Sequence, residues 1–384
     1  MFISVYAIAK NEEAVCERWY ECFQEADEVC VLVNNSTDKT AKKLRSLGAK
    51  VTVKNYPHFR FDVARNDAMK LCDPKADLLF ACDLDDIIEK GWRKKIEKAW
   101  KLGLKTGRKA NSILFTYSVW YGDDKPKQSF LRHNIHTPDG WYWKSRIHEF
   151  IENTTRKIYL YYPKFEVVSK PTRSEHGSYL KLLEEECSQP NCIARNVHLL
   201  AREYMINGRF EDSIEWFKKH LSHPGATWNS ERSASMKFLS QCYGNLGFEN
   251  AQELWLWKAM YENPKDRDAP FTLGMLLIKK KEYKTAVSVL ERCCAIESPE
   301  LDYPYFTLDS WTERPFLCLA EARFYNGEWD KADDAIEKAL SINPDSELAL
   351  QMKKDIKGNR DRGAKPTLPP PEIPRERIEI PELI

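Results

Sequence analysis

The sequence predicts an α/β domain followed by an all-α domain of repeated helical hairpins. Two observations indicate this division. From residue 1 to about 170, short apolar runs alternate with helical stretches, whereas from 195 to 356 the chain is helical throughout and repeats itself. A chain of 384 residues is long enough for two domains with separate cores. We expect residues 171–194 to form a junction, and we expect the proline-rich residues 357–384 to form an extended tail.

Five apolar runs of the first domain have the composition of buried β-strands. They are FISVYAIA (2–9), EVCVLVNN (28–35), KVTVKNY (50–56), DLLFACDLD (77–85) and NSILFTYSVWY (111–121). The segments between the first four runs have the apolar spacing of helices. This alternation predicts a largely parallel sheet with helices on both faces. In such sheets ligands bind at the carboxyl ends of the strands, so the polar residues that follow the runs are the candidate site.

The most unusual of these polar stretches is the cluster Asp83, Asp85 and Asp86, directly after the fourth run. Neighbouring carboxylates repel one another unless solvent or a cation lies among them. A hard divalent cation takes carboxylate oxygens together with substrate phosphates, so the cluster at this edge favours a metal–diphosphate site. The alternative is that the aspartates cap the following helix, with Asp86 as the best-placed residue.

Four helical segments of the second domain align with one another. They are LAREYMINGRFEDSIEWFKKHL (200–221), FLSQCYGNLGFENAQELWLWKAM (238–260), TLGMLLIKKKEYKTAVSVLERCC (272–294) and CLAEARFYNGEWDKADDAIEKAL (318–340). Each has a glycine at the turn, except that Lys281 takes this place in the third segment. The middle spacings are close to the period of roughly 34 residues that is typical of tetratricopeptide repeats. Because one hairpin cannot bury its apolar face alone, we expect a stacked helical solenoid.

The overall composition excludes several classes of protein. Lys plus Arg (59) nearly cancels Asp plus Glu (58), so the net charge draws the chain neither to nucleic acid nor to a membrane. No apolar segment is long enough to span a bilayer, and MFISVYAIAK has no basic leader. The eleven cysteines are scattered without zinc-site spacing, which favours reduced thiols. We therefore expect a cytoplasmic protein without a membrane partner.

Five motifs of the first domain occur in an order that carries a resemblance. They are AIAKNEE, VNNSTDKT, FRFDVARNDAM, FACDLDD and WKSRIHEF. Together they resemble family 2 glycosyltransferases of the GT-A fold, and with the C-terminal repeats they resemble the subgroup that includes the bacteriocin S-glycosyltransferases. The resemblance covers residues 1–180 and 195–356. It implies a nucleotide-sugar-binding sheet domain, a nucleoside-diphosphate sugar donor, Mn²⁺ or Mg²⁺ as cofactor, and inversion at the anomeric carbon.

The resemblance also implies the residues of the donor site. It assigns the nucleotide pocket to Asn11, Glu12, Asn34 and Asp38. Arg65 is assigned to the donor diphosphate, with Asp62 close by. The chain departs from the family at Asn34, where an aspartate usually reads the base. Because an amide offers both a donor and an acceptor, the nucleoside of the donor stays open.

The remaining implied roles concern the metal and the chemistry. Asp83 is expected to face the ribose or the metal, and Asp85 is expected to bind Mn²⁺ or Mg²⁺. His148 or His176 would complete the metal shell, with His176 favoured because it follows an extended run. Glu149 fits the general base of an inverting transfer.

The acceptor and the partners are left open by the sequence. A protein or peptide acceptor is favoured because tetratricopeptide grooves typically hold peptides. The run 90–109, with nine Lys or Arg residues, allows DNA with a modified base as an alternative acceptor. A non-catalytic repeat scaffold with a degenerate sheet domain is the rival from another class. The repeats could also support a homo-oligomer.

Overall fold

The computed structural model describes residues 1–105, 107, 109–120, 128–171, 178–297 and 308–361. The chain divides into two compact units, Met1–Leu182 and Leu183–Leu383, at a position inside the predicted junction. His176 and nearly all of the proline-rich tail lie outside the described residues.

The first unit contains ten described strands and four complete helices, and a fifth helix spans the division between the units. The strands are β1 (Ile3–Ala9), β2 (Glu28–Asn34), β3 (Lys50–Lys54), β4 (Leu78–Ala81), β5 (Asp86–Ile88), β6 (Ser112–Val119), β7 (Gln128–His136), β8 (Trp141–Lys144), β9 (Phe150–Asn153) and β10 (Tyr159–Ser169). The helices are α1 (Cys16–Phe23), α2 (Thr40–Leu47), α3 (Phe61–Met69), α4 (Trp92–Lys105) and α5 (Ser178–Cys187).

Eight of the strands form one mixed sheet in the order β3-β2-β1-β4-β7-β6-β10-β5, and β8 pairs with β9 separately. The half formed by β3, β2, β1 and β4 is parallel, as expected. The prediction of a largely parallel sheet is wrong for the other half, since β7 runs antiparallel between β4 and β6 and β5 runs antiparallel to β10. The cause is that β7 follows β6 directly, and antiparallel neighbours need no crossover helix.

Helices cover both faces of the sheet, as the alternation predicts. On one face Trp19 of α1 and Trp92 of α4 are fully buried, and the ring of Phe23 lies 5.7 Å from that of Phe80. On the other face Ala64 of α3 packs in a second cluster that contains Tyr6. Successive side chains of β1 enter these two cores because a strand alternates its faces. Between these two layers β2, β1 and β4 are adjacent and parallel, so their carboxyl ends lie side by side at one edge of the sheet.

The second unit consists of helical hairpins followed by one more helix. The described helices are α6 (Ala194–Ile206), α7 (Phe210–Ser222), α8 (Asn229–Asn245), α9 (Glu249–Glu262), α10 (Asp268–Lys279), α11 (Tyr283–Cys294), α12 (Arg314–Tyr325), α13 (Trp329–Ile342) and α14 (Glu347–Asp361), with a short 3₁₀ turn at Leu308–Trp311. The fold class of an α/β domain followed by an all-α domain is confirmed.

The turns between the helices of a hairpin explain the recurring glycine. Gly208, Gly247 and Gly327 have φ between 74° and 82°, the left-handed region that glycine adopts without strain. Lys281 occupies the same place with φ 62°. The helices also approach closely at Gly274, where an added Cβ would lie 2.5 Å from the Leu290 side chain. Within the part of the chain that the structure describes, no helix has both the length and the hydrophobicity to cross a membrane.

Candidate active site

The loops after β1 and β2 hold each other at the carboxyl edge of the sheet. Asn11 has φ 56°, and its backbone N–H donates to Ser36 Oγ at 2.9 Å. The Thr37 amide donates to Asn11 Oδ1 at 2.8 Å. The Glu12 amide donates to Thr40 Oγ1 at 2.8 Å, at the start of α2. These hydrogen bonds fix the corner that the sequence assigns to the nucleotide.

Asp38 serves this corner through its two carboxylate oxygens. Oδ1 accepts hydrogen bonds from the Thr40 amide at 3.0 Å and from its hydroxyl at 2.6 Å, and Oδ2 accepts from the Glu13 amide at 3.1 Å. Burial alone would raise the pKa of Asp38, but these hydrogen bonds, first those from Thr40, hold it below its usual range. Asn34 ends β2 nearby and is buried. The structure thus brings Asn11, Glu12 and Asp38 together.

Arg65 of α3 is the centre of a second set of contacts. Its side chain is 8% exposed, and its guanidinium donates to Glu149 Oε1 at 2.9 Å and to the Cys82 carbonyl at 3.2 Å. It also pairs with Asp83, and it lies 5.2 Å from the centre of the Trp143 ring. Burial alone would lower the pKa of Arg65. The charges of Asp83 and Glu149 outweigh this effect and raise the pKa of Arg65. Arg65 therefore joins the end of β4 to the start of β9.

Asp62, the other candidate on α3, is not part of this set. Both of its carboxylate oxygens accept hydrogen bonds from Arg60, at 3.1 and 2.8 Å. Its Oδ1 also accepts from the Val63 amide at 2.9 Å, at the first turn of the helix. These hydrogen bonds of Asp62 therefore lie at the beginning of α3.

The three aspartates after β4 form a compact cluster whose carboxylate oxygens lie within 4.8 Å of one another. Asp85 Oδ2 accepts a hydrogen bond from Ser169 Oγ at 2.9 Å. Asp86 Oδ1 accepts from the Tyr117 hydroxyl at 2.7 Å, and Oδ2 accepts from the Asp83 amide at 2.8 Å. Among the described residues, Ser169 is the one side chain that donates to the Asp85 carboxylate.

The alternative that Asp86 caps the following helix is wrong. Asp86 begins β5 and is buried, and both of its oxygens are used by Tyr117 and Asp83. The amides at the start of α4 bind elsewhere, since Glu25 accepts hydrogen bonds from Gly91 N and Arg93 N. The strand β5 inserted between the cluster and the helix is the reason.

The electrostatics of the cluster are unbalanced towards negative charge. Burial first, and then the charge of Asp83, raise the pKa of Asp85 and place that of Asp86 well above its usual range. Burial also raises the pKa of Glu149, although Arg65 offsets part of this effect. Asp83 is the exception, because Arg65 and then Arg132 overcome the effect of burial and lower its pKa. Four carboxylates thus face two guanidinium groups.

This imbalance fits a divalent cation. Three carboxylates within reach of one ion are the oxygen ligands that Mn²⁺ or Mg²⁺ takes. Asp85 is better placed than Asp86, because one described side chain donates to the Asp85 carboxylate, whereas both oxygens of Asp86 accept hydrogen bonds. His148 is not brought into the group: it has φ 48°, and its ring lies 5.5 Å from that of Tyr179. His176 lies outside the described residues.

Sequence reasoning missed two residues of the site, Arg132 of β7 and Tyr117 of β6. The Arg132 guanidinium carbon lies 3.8 Å from the centre of the Tyr117 ring, and its Nη1 lies 3.8 Å from Asp83 Oδ2. Tyr117 is almost fully buried. The sequence offered little signal, because the strand QSFLRHNIH is mostly polar and does not resemble the apolar runs of the other central strands.

Comparison with known protein families gives one match in each unit. Residues 4–157 match glycosyl transferase family 2, and residues 271–299 match the tetratricopeptide repeat. An uncharacterized glycosyltransferase of Rickettsia bellii (strain RML369-C) is 38% identical over 96 residues, which are 25% of this chain and 31% of that protein. The chain thus spans about a third of the curated relative that it matches.

Several solved structures are similar to part of the chain. MamA matches with a TM-score of 0.34 and 21% identity over 43% of this chain and 86% of its own. YrrB, a TPR protein with an unusual peptide-binding site, matches with a TM-score of 0.35 and 20% identity over 46% and 81%. The C-terminal part of a TPR repeat-containing protein from Cytophaga hutchinsonii matches with a TM-score of 0.40 and 15% identity over 49% and 67%. At these TM-scores the likenesses carry no argument.

The chain therefore carries a family 2 glycosyltransferase domain in its first unit and a tetratricopeptide repeat in its second. The resemblance drawn from the five sequence motifs is confirmed to the extent of these two matches. The donor, the acceptor and the roles of single residues stay predictions.

Proposed function

We propose that the protein is an inverting, metal-dependent glycosyltransferase that moves a sugar from a nucleoside-diphosphate sugar to an acceptor. The observation that carries this proposal is the convergence of Glu149, Arg65 and Asp83 at the carboxyl end of β4, beside Asp85. Ligands of open α/β sheets bind at this edge. The match to glycosyl transferase family 2 over residues 4–157 supports the reaction class.

Glu149 is suited to act as the general base. Arg65 holds Oε1 at 2.9 Å, which fixes the carboxylate and leaves Oε2 for the acceptor. Burial raises the pKa of Glu149 and so makes its ionised form a stronger base. In the proposed step the acceptor's proton passes to Glu149 while its oxygen or sulfur bonds to the anomeric carbon. The bond from that carbon to the diphosphate breaks on the opposite face, so the configuration inverts.

Asp85 would hold the divalent cation, with Asp83 at the same site or at the ribose. A bound Mn²⁺ or Mg²⁺ supplies positive charge that stabilises the departing diphosphate. Neighbouring residues preorganise the two carboxylates. Ser169 orients Asp85 through Oδ2, and Arg65 keeps Asp83 ionised by lowering its pKa. His148 and His176 stay predictions as further ligands.

The nucleoside would bind at the corner formed by the loops after β1 and β2. Asn11 and Asp38 build that corner by hydrogen bonds within the chain, which leaves Asn34 as the side chain best suited to contact the base. An amide at that place can pair with more than one base edge. The proposal therefore extends to a nucleoside-diphosphate sugar without naming the base.

A protein or peptide is the favoured acceptor because the second unit carries a tetratricopeptide repeat. A nucleic-acid acceptor is the second candidate, and one observation favours it. Lys94, Lys98, Lys101 and Lys105 are exposed along one face of α4, and none forms an ion pair with a described residue. Such a stripe attracts phosphates. Transfer that falls steeply with salt and is lost in the four-lysine variant would identify the nucleic acid.

The first experiment is thermal unfolding with a panel of nucleoside diphosphates and their sugars, with Mn²⁺ and with a chelator. A ligand at a hundred times its dissociation constant stabilises the bound state by about 2.7 kcal/mol. We expect one nucleotide to raise the melting temperature in a metal-dependent way, and Asp85→Asn to abolish the shift. If no nucleotide shifts the wild type, the non-catalytic scaffold becomes the better description. If one nucleotide does shift the wild type, slow hydrolysis of the corresponding donor, lost in Glu149→Gln, would establish turnover.

A further inference from the structure

Arg132 occupies an unusual place among the charged groups of the site. It enters the aspartate cluster from β7, with its guanidinium 3.8 Å from the Tyr117 ring centre and 3.8 Å from Asp83 Oδ2. Its side chain is 22% exposed. Its guanidinium carries five N–H donors but donates no hydrogen bond to any residue that the structure describes. A charged fork therefore faces the site with its donors available.

Arg65 makes the opposite use of the same chemical group. Its guanidinium donates to Glu149, to Asp83 and to the Cys82 carbonyl, and its side chain is only 8% exposed. A ligand could reach it only by displacing a carboxylate that is already paired. The two arginines are therefore not equivalent, and Arg65 has the contacts of a residue that organises the carboxylates.

The surroundings of Arg132 define the ligand that it fits. Tyr117 is held in place by its hydrogen bond to Asp86, so its ring gives the guanidinium a fixed platform. A planar guanidinium pairs best with carboxylate or phosphate, and it does so through two parallel hydrogen bonds. Asp83 lies too far away, at 3.8 Å, to satisfy it in this way. An oxyanion is therefore the missing partner.

We propose that Arg132, rather than Arg65, binds the diphosphate of the donor. The inference rests on the proposed function, because only that function brings a diphosphate to the aspartates. An anion beside four carboxylates is repelled unless a cation faces it. Arg132 and a metal ion at Asp85 would hold the diphosphate from two sides, while Arg65 keeps Asp83 and Glu149 ionised and in position. Arg65, assigned to the diphosphate from the sequence, becomes a positioning residue.

The test compares binding of a diphosphate with binding of the nucleoside that lacks it. Calorimetric titration of the wild type with UDP, GDP, ADP, CDP and dTDP in the presence of Mn²⁺ selects one nucleotide. The same nucleotide and its nucleoside, the latter followed by NMR, are then titrated into Arg132→Ala and Arg132→Lys. Lys75→Ala is the matched control, since it removes one positive charge from an exposed position of the same unit, before β4 and outside the lysine stripe of α4. Circular dichroism melting verifies that each variant is folded.

We expect Arg132→Ala to bind the diphosphate about 10- to 100-fold more weakly, as for a lost charge-assisted hydrogen bond. Nucleoside binding should stay unchanged, and Arg132→Lys should lie between the two because it keeps the charge but not the fork. Lys75→Ala should match the wild type. Equal affinity of wild type and both Arg132 variants for the diphosphate overturns the inference while leaving the proposed function intact. A wild type that binds none of the five nucleotides overturns the proposed function itself.

Discussion

The role of Arg65 as the neutralising partner of two carboxylates makes a quantitative prediction for Arg65→Met. Methionine keeps much of the volume but removes the hydrogen bonds to Glu149 and Cys82 and the ion pair with Asp83. Removing one partner of a buried ion pair costs about 3–5 kcal/mol, because the other charge stays buried without compensation. In a unit of this size each kcal/mol lowers the melting temperature by about 2–4 °C, so we expect a loss of about 6–20 °C.

The cost should also depend on pH in a defined direction. It arises from the ionised carboxylates, and the pKa of Glu149 is already raised by burial. Without Arg65 the pKa of Glu149 rises further and the pKa of Asp83 is no longer held down by this charge, so the variant takes up protons on folding. Its destabilisation relative to the wild type should therefore be largest at pH 7 and should shrink as the pH falls towards 5.

The assay is unfolding in urea, monitored by hydrogen exchange in peptides from β4. These peptides report on the stability of the sheet rather than on that of the helical repeats. The matched control is Lys95→Met, which removes a lysine paired with Glu89; the two side chains are 42% and 53% exposed. An exposed ion pair of this kind contributes about 0–1 kcal/mol. If Arg65→Met loses no more stability than Lys95→Met at pH 7, the reasoning on neutralisation is refuted.

Three further predictions follow from the proposed site and from the repeats. Glu149→Gln should lower the rate of transfer at least about 100-fold with nucleotide binding preserved, and an unchanged rate would exclude Glu149 as the base. The wild-type rate should rise with pH through an apparent pKa above that of an ordinary glutamate. Asp85→Asn should weaken Mn²⁺ binding at least about tenfold in a calorimetric titration, and equal affinity would remove Asp85 from the metal site. Lys281→Gly should stabilise the repeats by about 0.5–1 kcal/mol, since a lysine in the left-handed region is strained, and thermal unfolding that shows a loss would contradict this.

The strand runs and the helical hairpins could be predicted because their signals are local. The five predicted strands correspond to β1, β2, β3, β4 and β6, and the four hairpins lie where the repeated segments place them. Periods of 2 and of 3.6 residues, and a glycine at each turn, are properties of near neighbours in the chain. The same locality explains the failure in the second half of the sheet, where β7 pairs with β4 and β10 pairs with β5 across long sequence separations.

The candidate site was predicted in part for the same reason. Glu149 and Arg65 were named individually through the resemblance, but their contact joins positions 84 residues apart. The sequence favoured Asp86 as a helix cap because aspartates commonly precede helices. In the structure Asp86 instead lies in β5, which pairs with β10, and its carboxylate accepts a hydrogen bond from Tyr117.

The sequence by itself determined the order of the two domains, the repeat period and the acidic edge of the sheet, because each is written in the spacing of neighbouring residues. Only the tertiary structure decided which charge faces which. It pairs Arg65 with Asp83 and Glu149 and leaves Arg132 without a hydrogen-bonded acceptor among the described residues. The physical reason is that Coulomb interactions depend on distance in space, and the sheet order that sets those distances arises from the packing of the whole unit.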